Sequence, residues 1–423
     1  MKVRLLLIVA ILAMALGVSS VAAQDKTVVT IYFPIAVDSP VTEILDEYTA
    51  AYEAEHPDVD IVFSYEGGYT DVQTKLRTVA EGGGDLPAGA IMLATDIYDV
   101  ANAGLVQPWD SYVDEETLSD FYEVWLSNSY YDANGDGTTE LYGLPFQRST
   151  VLLYYNQTML EENGMEPPAN WQELADDAQA LTTDTRWGIL IPNSWPYWEL
   201  QPFALGAGQN LVGDSDTEVF FNSPAAVEAL QFWVDLYTEY NATPAGVQNN
   251  WGDAPGLFAN GEAAMIVHST GSMPGILSTA DFEVGVSGIP GKDGGFFTVP
   301  GGGNLYLVAG IDDATAQAMA DFALWLTSPE QTADWAIRTG YLPVRQSAVE
   351  LDSWTSYIEE TPQAAQAVAT LDSAGPELSV QSLADVRNAL HTHILAVLNG
   401  EEEPQAALDA AQAEADDILS IYQ

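Results

Sequence analysis

Three short apolar runs, with segments of helical spacing between them, constrain this chain more than any other feature. They are Val28 to Phe33 (VVTIYF), Val59 to Tyr65 (VDIVFSY) and Ala90 to Ala94 (AIMLA). All three are rich in β-branched or aliphatic residues, as strands buried between layers are. Between the first two, Val41, Ile44, Leu45, Tyr48, Ala51 and Tyr52 recur on one helical face, with Ser39 as the cap and Pro57 as the stop. Asp71 to Glu81 reads as a second helix. Strands that alternate with helices imply an α/β lobe with a largely parallel sheet. Ligands of such sheets collect beyond the carboxyl ends of the strands. Tyr69, just after VFSY, and Asp96, just after AIMLA, are therefore rim residues.

The chain continues well beyond one such lobe. Cleavage of an N-terminal leader would leave 400 of the 423 residues, too many for a single core and suited to two lobes. The leader reads from Lys2 and Arg4 through the apolar run Leu5 to Leu16 to the small residues Val21-Ala22-Ala23. The apolar run is too short to span a bilayer comfortably. With no cysteine there is no lipobox, no disulfide and no thiolate metal site. The expectation is export across the cytoplasmic membrane as a free, monomeric protein.

The charge excludes one class of partner. Acidic residues number 62 against 11 basic ones, a net charge of −51, which becomes −53 once Lys2 and Arg4 are removed. Phosphate repulsion rules out nucleic acid. The acids are scattered, as on a solvated surface, rather than gathered for a cationic ligand.

Catalytic patterns are missing. His56, His268, His391 and His393 form no metal-like motif, no GxSxG elbow occurs, and Gly301-Gly302-Gly303 lacks the Lys-Ser/Thr of a phosphate loop. Paired carboxylates for glycan hydrolysis remain open, with Asp96 as one member, because so many acids offer pairs. Better defined is NSWPYWELQPF, which places Trp195 and Trp198 around a proline in a loop. Such rings either form flat platforms for sugar faces or choline-like groups, or pack between helices.

Two segments, GLPFQRSTVLLYYN (Gly143 to Asn156) and RTGYLPVR (Arg338 to Arg345), together with the WxxW spacing, resemble the family 1 extracellular solute-binding proteins of ABC importers. Among these the chain is most like the glycerol-3-phosphate/glycerophosphodiester-binding branch, which sits among the sugar binders. The resemblance implies an α/β, two-lobed periplasmic binding protein fold of type II. Each lobe would be a mostly parallel sheet flanked by helices, with the ligand in the cleft between lobes and permease subunits as partners. It implies an N-terminal lobe of residues 24–147 plus 286–328 and a C-terminal lobe of 148–285 plus 329–423. The last stretch, 331–423, is expected to pack largely on the second lobe. No catalysis and no required cofactor are implied.

Carried over by motif, the ligand-binding residues would be Tyr69 in EGGYTD, Asp96 in AIMLATD and Ser149 with Thr150 in FQRST. They would also include Trp195 and Trp198, Gly271 and Ser272 in HSTGS, Gly302 and Gly303 in PGGGNLY, and Tyr341 in RTGYLP. One departure bears on the ligand. The family branch holds phosphate with an arginine before the long C-terminal helix, yet the matching GPELSVQ (Gly375 to Gln381) has no basic residue, and Arg387 falls at a different, helical position. A neutral sugar or polyol is then expected over a glycerophosphodiester, unless Arg148 or Arg345 turns inward.

A side motif is DANGDGTTE, in which Asp132, Asn134, Asp136 and Glu140 match the first part of a calcium loop. The twelfth position is Gly143, so either a remote acid completes a structural Ca2+ shell or the segment is a plain Asn-Gly/Asp-Gly turn.

Overall fold

The computed structural model describes residues 26–35, 40–248 and 250–423, so the leader and the Ser39 cap lie outside the described residues. The chain opens with β1 (Thr27–Phe33), α1 (Val41–Glu55), β2 (Val59–Tyr65), α2 (Tyr69–Gly82) and β3 (Gly89–Leu93). The helical spacing of α1 is borne out at Val41, Ile44, Leu45, Tyr48 and Tyr52, its buried residues, whereas Ala51, expected on the same face, is exposed. α2 begins at Gly68, whose N–H donates to the Asp71 carboxylate at 2.8 Å. Both helices serve as crossovers, so β1 pairs in parallel with β2 and with β3.

A 14-residue strand, β4 (Gly143–Asn156), follows and is buried along its whole length. Next come α3 (Trp171–Leu181), β5 (Trp187–Leu190), α4 (Pro196–Gly206), α5 (Pro224–Thr238), β6 (Ala263–Ser269) and β7 (Val284–Ser287). The chain ends with β8 (Pro300–Val308), α6 (Asp313–Leu326), α7 (Pro329–Thr339), α8 (Leu383–Leu398) and α9 (Pro404–Leu419). Side-chain caps at Asn170, Ser223, Asp312 and Ser328 satisfy first-turn amides of α3, α5, α6 and α7.

The strands join in the order β2-β1-β3-β8-β4-β6-β5, with β7 also pairing β4. The sheet is mixed rather than uniformly parallel, and the antiparallel pairs have one cause. β4 and β8 carry the chain between the two halves and run against their neighbours. β4 pairs with β8 up to Thr150 and with β6 from Val151 on, so Ser149 sits where the partner changes. Two large cores flank this crossing, one around Tyr48, Phe146 and Phe322, the other around Leu174, Phe203 and Leu390.

α8 and α9 pack in the second core, as expected of the C-terminal stretch. α7 does not. Tyr48 of α1 donates to Asp334 at 2.7 Å, Arg338 reaches Glu47 at 2.7 Å, and Trp335 lies 4.9 Å from the Phe146 ring. An apolar Trp335 and a charged Arg338 on one short helix both find their partners on α1 and β4, so α7 belongs to the first core.

Candidate functional site

Five segments converge where β4 changes partner. From one side come Tyr69 at the start of α2, Gly301 and Gly302 of β8, and Tyr341 just after α7. From the other come Trp195 and Trp198 at the start of α4, with Trp251 from a loop. They line a partly open cavity, to which Ser149, Ser269 and Glu377 add polar groups. Trp195 is the N-cap of α4 and Pro196 its first helical residue, which is where proline is tolerated. This cap brings the Trp198 indole onto the β8 backbone, where its Nε1 donates to the Pro300 carbonyl at 2.7 Å.

The glycines of β8 are small for reasons of packing. A Cβ on Gly301 would stand 2.5 Å from Trp198 Cζ2, and one on Gly303 would stand 2.7 Å from Tyr69 Cε1. Behind the wall, Trp251 stacks on His268 at 3.8 Å, and the imidazole shares hydrogen bonds with the Trp251 carbonyl and the Ser272 hydroxyl. Burial pushes the His268 pKa down to about 4, so the ring is neutral at pH 7 and braces the indole.

A family model for bacterial extracellular solute-binding proteins matches residues 47–366. The chain belongs to that family. The sn-glycerol-3-phosphate-binding periplasmic protein UgpB of Escherichia coli strain K12 is 27% identical over 443 residues, covering 97% of each chain. Among solved structures, UgpB from Mycobacterium tuberculosis in complex with glycerophosphocholine aligns with a TM-score of 0.81 at 21% identity, over 93% of this chain and 99% of that one. The cyclic α-maltosyl-1,6-maltose binding protein from Arthrobacter globiformis aligns at 0.78 and 25% identity, over 94% and 100%.

For this solute-binding protein the structure groups Tyr69, Ser149, Trp195, Trp198, Gly302 and Tyr341 around one cavity. Five other residues expected there stand outside its lining. The Asp96 carboxylate is 3.5 Å from the Arg387 guanidinium, a pairing that no local pattern suggests, since the two are 291 residues apart. Thr150 is buried against Thr270 and Thr370. The Gly271 N–H donates to Ser269, Ser272 supports His268, and Gly303 lies under the Tyr69 ring. Of the two arginines proposed to turn inward, Arg345 faces away, bonded to the Thr327 and Thr117 carbonyls and set over the Phe121 ring. Arg148 is fully buried beside Asn304 and Trp125, outside the lining.

Tyr197, Trp251, Ser269 and Glu377 were missed from the sequence. Glu377 had the clearest signal, as the single charge in GPELSVQ, a stretch read only for the arginine it lacks. Its Oε1 accepts from the Tyr197 hydroxyl at 3.0 Å, while Oε2 is buried with no partner. Burial raises its pKa to about 7 against the opposing pull of Arg148 and Tyr197. Asp96, buried too, is raised to about 6 despite Arg387.

The sign of the Glu377 shift makes a test. A folded-state pKa above the ordinary 4.5 means that the fold holds this proton more tightly than the unfolded chain does. The stability it contributes is complete below pH 4.5 and lost as pH rises through about 7. Glu377→Gln, which keeps the shape without the charge, is expected to match wild type at pH 4.5. At pH 8 it should exceed wild type by roughly 3 kcal/mol in ligand-free urea unfolding. Equal stability of the two proteins at pH 8 would remove the buried charge from the account.

In the loop Asp132–Glu140, Asp132 and Asn134 accept from the Asp136 amide, Asp132 also accepts from Gly137, and Asp136 accepts from Thr138. The nearby Glu140 carboxylate instead accepts from the Tyr142 hydroxyl at 3.3 Å.

Proposed function

We propose that this protein is the extracytoplasmic receptor of an ABC importer and that its ligand is a neutral sugar or short oligosaccharide. The observation that carries the ligand class is the wall of the cavity. Six of its twelve lining residues are aromatic, and its one ionisable carboxylate or guanidinium is the carboxylate of Glu377. A phosphate would meet that carboxylate with no cation in the lining to pair with, an arrangement that costs several kcal/mol. A sugar hydroxyl can donate to the unpaired Oε2, while indole faces cover its C–H surface. Ser149 and Ser269 add hydroxyls that both donate and accept.

Capture would proceed by bending at the crossing strands, with residues 24–147 plus 286–328 and α7 moving against 148–285 plus α8 and α9, followed by delivery to permease subunits. Turnover is not part of this reading. Hydrolysis of a glycosidic bond requires two carboxyl groups across the ligand, and Asp96 is occupied by Arg387. Export through the leader fits the family, and no helix among the described residues is long and apolar enough to cross a membrane. For Asp132–Glu140 the proposal is a hydrogen-bonded turn, because no group of three or more His, Asp or Glu among the described residues is placed to hold a metal ion.

A thermal-shift screen of the mature protein tests these readings together. Mono- and disaccharides are expected to raise the midpoint, and glycerol 3-phosphate and glycerophosphocholine to leave it unchanged. Stabilisation by the phosphates alone would transfer the site to a phosphodiester. EDTA followed by calcium is expected to leave the midpoint unchanged, and a rise with calcium would put an ion in the loop.

A further inference from the structure

Arg387 does not line the cavity, yet it connects the cavity to the far side of the cleft. From α8 its Nη2 stands 3.5 Å from Asp96 Oδ1, just after β3. Its Nη1 donates to the Tyr197 hydroxyl at 3.4 Å, and its guanidinium carbon is 5.3 Å from the centre of that ring. The Tyr197 hydroxyl in turn donates a hydrogen bond to Glu377 Oε1 at 3.0 Å. His391, one turn along α8 from Arg387, stacks on the same tyrosine at 5.5 Å and fixes the ring plane. The result is an unbroken series, Asp96–Arg387–Tyr197–Glu377, whose last oxygen is unpaired in the cavity wall.

The geometry points to Arg387 as a positioning residue that couples ligand capture to closure of the cleft. A ligand hydroxyl on Glu377 Oε2 fixes the carboxylate, the carboxylate holds the Tyr197 hydroxyl, and the hydroxyl keeps the guanidinium aimed at Asp96. Occupancy of the cavity is thereby read by an ion pair between β3 and α8. Burial opposes the charge on Arg387, but Tyr197 and Asp96 together hold its pKa above the ordinary value, so it stays charged throughout. The inference rests on the reading that Glu377 takes a ligand hydroxyl. Other contacts on this lip bypass Tyr197: Ser379 donates to the Thr95 carbonyl at 3.0 Å, and Gln381 bonds Asn102 and Tyr131 at 2.8 and 2.9 Å.

The first test needs no ligand. Asp96→Asn and Tyr197→Phe are combined in a double-mutant cycle of urea unfolding at pH 7.5. The folded-to-unfolded ratio of the double variant is expected at least fivefold above the product of the single effects, and the excess should vanish in an Arg387→Gln background. The second test uses maltose as the probe. Arg387→Gln should weaken its binding about tenfold through faster dissociation, Arg387→Lys should recover part of the loss, and Ser379→Ala should cost less. If wild type ignores maltose, the sugar reading fails for this probe and the ligand-free cycle still decides the relay. If wild type binds maltose and the cycle is additive, the relay is overturned and sugar capture stands.

Discussion

Gly302→Ala is expected to lower the stability of the folded protein by about 3–5 kcal/mol, measured as the urea midpoint of the ligand-free chain. Two effects add at this position. The residue holds φ at +89°, where an L side chain pays a backbone penalty of about 1–2 kcal/mol. A Cβ there would also stand 1.9 Å from the Gln147 carbonyl oxygen. That oxygen belongs to the backbone of β4 and cannot swing aside, so β8 and β4 would have to separate where they form the floor of the cavity. Gly104→Ala is the control, because its φ of +63° carries the backbone penalty but nothing stands within 4 Å of the added carbon. The expected cost there is about 1–2 kcal/mol. Equal losses in the two variants would mean that the strands yield and the close approach is unimportant.

The glycine triplet also shows where the sequence was legible and where it was not. Gly302 and Gly303 were expected to meet a ligand, but Gly301 and Gly303 are held small by Trp198 and Tyr69, which lie about 100 and 230 residues away in the chain. Local patterning was enough for α1 because a helix states its buried face in its own spacing. The direction of β4 and β8 was not legible, since period-2 or fully apolar runs look the same in either orientation. Residues of the cavity wall were legible at Tyr69 from its place after β2 and at Trp195 as a ring in a loop, whereas Tyr341 came only through the family resemblance. Charges were harder. Asp96 looked like a free rim acid because its partner, Arg387, comes from a helix at the opposite end of the chain. Glu377 was hidden for the same reason: only the fold brings it against Tyr197 and leaves its other oxygen buried without a partner.

The two tryptophans of the WxxW segment are expected to separate binding from folding. Trp198 is buried, its Nε1 donates to Pro300, and its ring packs on Gly301 and 5.9 Å from Trp251. Trp198→Ala therefore removes a wall of the cavity and a piece of the second core together, and should cost about 3–5 kcal/mol of stability along with most of the affinity. Trp195 lines the same cavity but is only partly buried, at the N-cap of α4. Trp195→Ala should leave the urea midpoint within about 1 kcal/mol of wild type while weakening sugar binding at least tenfold, a loss of about 1.4 kcal/mol that one aromatic platform can account for. Isothermal titration with the sugar found by thermal shift, beside urea unfolding of the same preparations, reads both quantities. Should Trp195→Ala bind as tightly as wild type, the Trp195 indole would be a packing element, and the platform would reduce to Trp198, Trp251 and the tyrosines. Should it unfold as readily as Trp198→Ala, the start of α4 would depend on that ring for its stability, and the loss of binding would no longer report on stacking against the ligand.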